Sequence, residues 1–109
     1  MALQSHPLHA LQAFLPPPAW EPVEALLHHY RIHLIIQRER KSLLGNYRPA
    51  HRGKPHTITV NGNLNPVHFL EVLLHELAHL LAFEECGSNE LPHGSTWKRH
   101  YATLMKQFM

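Results

Sequence analysis

The segment His75-Glu76-Leu77-Ala78-His79 holds the residues of this 109-residue chain best suited to chemistry. Four positions apart on a helix, His75 and His79 project from one face about a turn apart, so two imidazoles can grip one zinc ion. Glu76 flanks the same ion. Its carboxylate sits too far out for convenient ligation but can take a proton from water, so the H-E-x-x-H pattern points to peptide-bond hydrolysis with Glu76 as the catalytic base. The sequence also carries 12 His, and all 8 of its acids are Glu. At that composition the five-letter pattern arises by chance in about one shuffle in ten, so its surroundings matter. Here they strengthen it. Leu70, Leu73, Leu74, Leu77, Leu80 and Leu81 would bury the helix around the two histidines, and an unpaired carboxylate among them is costly unless metal or water meets it.

A hydrolytic zinc site needs a third protein ligand and keeps its fourth position open to water or substrate. His93 is the expected third ligand. Gly87, Ser88, Asn89, Pro92 and Gly94 let the chain reverse before it, and the next helix brings His93 back over the first. Glu85, Glu90 and His100 are the other candidates. The metzincin pattern is excluded, because the position six residues after His79 is Glu85 and no Gly stands between them.

With His93-Gly94-Ser95-Thr96-Trp97 following after a short gap, the chain resembles the SprT-like metallopeptidases, which pair an H-E-x-x-H helix with a downstream His-Gly-x-x-aromatic element. The order of helix, basic strand region and active helix is also similar, so the resemblance covers roughly residues 20–108. It implies a small zincin-like domain with one Zn2+ per chain, His75, His79 and His93 as its ligands, and Glu76 as catalytic base. The family includes the Spartan proteases, which degrade proteins crosslinked to DNA, and so implies DNA-associated proteins as candidate substrates. Many of its members continue into a Cys-rich zinc ribbon. This sequence departs from them in having Cys86 as its one cysteine, which leaves ribbon-based nucleic-acid targeting unsupported.

Beyond the base, an oxyanion developing on the substrate calls for a second electrophile. His100, Tyr101, Tyr47, Arg48 and His68 are the candidates, His68 because it lies seven residues before His75 on the same helical face. An edge strand near the zinc would hold an extended protein or peptide substrate by its backbone, with little demand on side-chain identity.

The elements that must position these groups read as an α+β fold. Leu3, Leu8, Leu11, Phe14 and Leu15 predict a short N-terminal helix, ended by Pro16-Pro17-Pro18. A second helix is expected from Ala19 to about Tyr30, with Val23, Leu26, Leu27 and Tyr30 as its apolar face. Alternation over residues 32–37 and the β-rich run Thr57-Ile58-Thr59-Val60 predict strands, and Leu43 to Pro49 holds a further short one. Together they predict a small antiparallel sheet of two or three strands. Asn65 as N-cap and Pro66 at the first helical position open the long active-site helix, which stops at Gly87. Ser95 is the expected cap of a C-terminal helix carrying Trp97, Tyr101, Leu104, Met105 and Phe108.

Size predicts one domain over residues 1–109, with 1–18 as N-terminal helix and proline connector. No uninterrupted apolar run reaches the roughly 18 residues of a membrane span, and no membrane partner is expected. His6, Pro7 and His9 interrupt the weakly apolar N-terminus and no Lys or Arg precedes it, so a cytoplasmic location is expected. A single cysteine excludes an intrachain disulfide and a four-Cys zinc site. Charge is unevenly spread. Arg31, Arg38, Arg40, Lys41, Arg48, Arg52 and Lys54 stand against one acid, Glu39, within 31–54 of a chain whose formal net charge is +2. That segment can meet DNA phosphates, or simply guard an exposed strand against edge-to-edge pairing. The rival to an enzyme is a nucleic-acid-binding module with a structural zinc, in which His100 or Glu90 would add a fourth ligand and close the site to water.

Overall fold

The computed structural model describes residues 11–38, 43–87 and 91–109. Its regular elements are α1 (Trp20–His29), β1 (His33–Gln37), β2 (Gly45–Arg48), β3 (Thr57–Asn61), α2 (Pro66–Cys86) and α3 (Ser95–Phe108). The class is α+β, with three α-helices among the described residues.

α2 starts where the sequence says it should. The Asn65 side chain accepts the His68 N–H at 2.9 Å, Pro66 occupies the first turn, and Gly87, at φ 62°, ends the helix in a conformation that favours glycine. Ten of its 21 residues are buried, including Leu70, Leu73, Leu74, Leu77 and Leu80. Leu81 is only partly covered. By length and composition alone α2 could cross a membrane, but 56% of its apolar window is buried inside the fold, as befits a core helix.

The sheet is mixed rather than antiparallel. Its order is β1-β3-β2, with β1 parallel to β3 and β2 antiparallel to it. The reason lies in burial. β3 hides Ile58, Thr59, Val60 and Asn61, whereas β1 buries only Leu34 and Ile36, so β3 takes the centre and separates two strands that follow each other in sequence. One face of the sheet packs on α2, and α3 crosses the same helix.

Of the expected N-terminal helix, residues 3–10 lie outside the described residues, and the rest is not α-helical beyond Leu11. Gln12–Phe14 and Pro17–Ala19 are single 3-10 turns. They still serve the core. Leu11, Leu15 and Ala19 are buried, the Phe14 ring lies 5.4 Å from that of Phe69, and Trp20 Nε1 donates to the Leu15 carbonyl at 2.9 Å. A smaller correction concerns α3. Gly94 is its N-cap and Ser95 its first residue, with no side-chain cap.

Candidate active site

His75 and His79 stand half-buried on α2, and His93 is exposed just ahead of α3. The ligand atoms of all three lie within 4.8 Å of one another, and no other such group of three occurs among the described residues. Ring centroids are separated by 5.1 Å for His75 and His79, 5.0 Å for His75 and His93, and 4.8 Å for His79 and His93, so the imidazoles form a near-regular triangle. Nε2 of His93 is 3.1 Å from Nε2 of His75. Two nitrogens on one tetrahedral zinc, each about 2.0–2.1 Å from the metal, stand about 3.4 Å apart. The triad therefore fits the ion with little movement.

Electrostatics agree with the geometry. Burial, then the charges of His79 and His93, hold the His75 imidazole below its ordinary pKa, which favours the neutral form that ligation requires. His93 adopts φ 57°, a left-handed conformation in which a non-glycine residue is strained. Its neighbours enforce that position. The Gly94 N–H donates to the Leu91 carbonyl at 2.9 Å, and Trp97 packs against all three histidines, with ring centroids 4.9, 5.5 and 4.6 Å from His75, His79 and His93. Trp97 Nε1 also donates to the His75 carbonyl at 3.1 Å, tying α3 to α2 at the site.

Glu76 is 8% exposed, and burial pushes its carboxyl up to about 7. It opens onto a cavity of about 420 Å³ that also reaches His75. Val72, Glu71 and His68 continue the α2 wall, Tyr101 comes from α3, and Leu43, Leu44 and Gly45 form the sheet side. Gly45 is required there. A Cβ on it would stand 2.6 Å from Val72 Cγ1, so any side chain would force Val72 or the strand to move. Asn61, fully buried, holds the neighbouring wall: its Nδ2 donates to the Leu43 carbonyl at 2.7 Å and its N–H to the Leu44 carbonyl at 2.9 Å.

The other expected site residues divide. Tyr101 and His68 line the cavity. Tyr101 stacks on Trp97 at 17°, and burial, then the charge of Glu71, raise its phenol so that it remains a donor. Tyr47, Arg48 and His100 are not among the lining residues. The Tyr47 hydroxyl lies 3.0 Å from His56 Nδ1, and Arg48 is exposed at the end of β2. His100 sits 3.0 Å from Glu85, which also takes both of its contacts from Arg99 at 2.6 Å. That pairing occupies two of the alternative metal ligands with each other, and Glu90 lies outside the described residues.

Of the basic segment, Arg31, Arg52 and Lys54 come together around a second groove with Tyr30, His51 and His56. Arg38 and Arg48 are exposed elsewhere, and Arg40 and Lys41 lie outside the described residues. His56 also stands close after this segment in sequence. It is buried, accepts the Ala50 N–H on Nδ1 at 3.0 Å and meets Glu84 at 3.3 Å through Nε2, contacts between distant segments that no local pattern announces.

No family model, curated protein or solved structure matches the chain. Function must therefore be read from the site itself.

Proposed function

We propose that the protein is a zinc-dependent metallopeptidase of SprT-like, zincin type, one Zn2+ per chain. The observation that carries this is the convergence of three imidazoles beside a buried carboxylate, with His75 and Glu76 lining one open cavity. When bound, zinc supplies Lewis-acid chemistry, making water acidic near neutral pH and polarising a substrate carbonyl. His75, His79 and His93 would hold it. Glu76, with its affinity for a proton raised by burial, accepts one from the attacking water and returns it to the leaving amine. The Tyr101 hydroxyl is the best-placed donor to the developing oxyanion, because it shares the cavity with Glu76 and stays protonated. Val72, Leu43 and Leu44 supply apolar walls beside these groups. β2 is an edge strand whose Gly45 lines the cavity, so an extended peptide can pair with it through backbone hydrogen bonds.

A structural zinc needs a fourth protein ligand, and among the described residues only three donors converge. Of the two fourth ligands such a module would use, His100 meets Glu85 instead, which favours the hydrolytic reading, and Glu90 lies outside the described residues. DNA-associated proteins are the substrates proposed, supported by the groove that gathers Arg31, Arg52 and Lys54.

The test is Glu76→Gln. It should bind one zinc per chain by metal analysis and lose hydrolysis of unfolded protein by about 100-fold or more. Undiminished hydrolysis would remove Glu76 from the mechanism, and absence of zinc binding by the unaltered protein would remove the mechanism altogether.

A further inference from the structure

Glu71 faces the active-site cavity but has no part in metal binding or proton transfer as described. It stands on α2 four residues before His75, about 6 Å along the axis at about 1.5 Å per residue. The side chain is half-exposed, and no Lys or Arg among the described residues pairs with it. The titratable groups sharing its cavity are His68, His75 and Glu76 on its own helix and Tyr101 on α3, and none carries a fixed positive charge.

Three apolar side chains line the same cavity as Glu71 and Glu76. Val72 forms one side, and Leu43 and Leu44 form the other, each 46% exposed. Such exposure of two adjacent leucines is unusual for a segment pinned this firmly, since Asn61 holds both of their carbonyls. A cavity that joins apolar side chains to the carboxylate of Glu71 matches one class of side chain: an aliphatic stem with a cationic head. An acidic side chain would meet Glu71 as a like charge, and an apolar one would strip water from its carboxylate without replacing it.

We propose that this cavity is a substrate side-chain pocket that selects lysine or arginine beside the scissile bond, with Leu43, Leu44 and Val72 covering the stem and Glu71 receiving the charge. For what is cleaved, the proposal rests on the peptidase reading. For what is bound, it rests on the cavity alone, and the two are measured separately. In the first measurement the zinc-loaded protein digests a pool of unstructured peptides, and cleavage sites are mapped by mass spectrometry. Lys and Arg should be enriched about fivefold at one position flanking the cut, the advantage of a partly exposed ion pair. Glu71→Gln should flatten that preference, and Glu71→Lys should turn it toward Glu and Asp.

The second measurement uses zinc-loaded Glu76→Gln protein and two peptides that differ only in lysine against norleucine. The lysine peptide should bind about fivefold more tightly, and adding Glu71→Gln should equalise the two. Cleavage without a basic preference, or equal binding of the two peptides, overturns the pocket while the peptidase stands. Lysine-selective binding with no hydrolysis by the unaltered protein supports the pocket and overturns the peptidase.

Discussion

Glu76 should make the metal-free protein less stable as pH rises, and replacing it by Gln should remove that loss. In the fold its carboxyl titrates at about 7 rather than 4.5, because burial opposes the charge. Below the unfolded value both states hold the proton, and the side chain costs nothing extra. As pH climbs toward 7 the unfolded chain releases its proton first, so stability falls, and above 7 both states are ionised and the loss is complete. The shift corresponds to at most about 3 kcal/mol. In a domain of this size that is about 10 °C or more of Tm. The assay is urea unfolding of the chelator-treated protein and its Glu76→Gln variant between pH 4 and 9, followed by tryptophan fluorescence. All other titrating groups are common to both proteins and cancel in the difference. The variant's advantage should grow from near zero at pH 4 to its full value above pH 7, and zinc should narrow it by favouring the ionised carboxylate. A difference that is flat across this range would refute burial as the cause.

Two further substitutions probe how the site is held. Trp97→Phe keeps a ring against the three histidines but loses the donor to the His75 carbonyl, so it should weaken zinc binding about tenfold in a chelator competition. Gly45→Val places side-chain atoms where Val72 and Glu76 already stand; it should destabilise the fold by about 1–3 kcal/mol in urea unfolding and reduce hydrolysis further through displacement of Glu76.

Much of this was readable in the sequence because it depends on short-range chemistry. Asn65-Pro66 and Gly87 bound α2 through their own backbone preferences, and the spacing of His75, Glu76 and His79 is fixed by the helix itself. Strand pairing was not readable. Thr57-Ile58-Thr59-Val60 alternates like a strand with one wet face, yet Thr59 and Asn61 are buried as well, and only that burial puts β3 in the middle. The same holds for the histidines of the C-terminal region. His93 and His100 are both near enough in sequence to serve, yet His93 is the one that converges with His75 and His79, while His100 meets Glu85. Glu71 gave no signal because the leucines that share its cavity, Leu43 and Leu44, lie far from it in sequence.

The strained position of His93 has a consequence for folding. His79 lies on α2 and His93 in the turn ahead of α3, and a metal held by both would cross-link the chain across the intervening segment, as a disulfide does in proteins with cysteines to spare. This chain has one cysteine. Closing a loop of about 15 residues is worth about 3 kcal/mol in the chain-entropy picture, roughly the size of the penalty carried by a buried, ionised Glu76. The same ion that would make the site reactive would thus also fasten α3 to α2, so that metal binding would add to the stability of that packing.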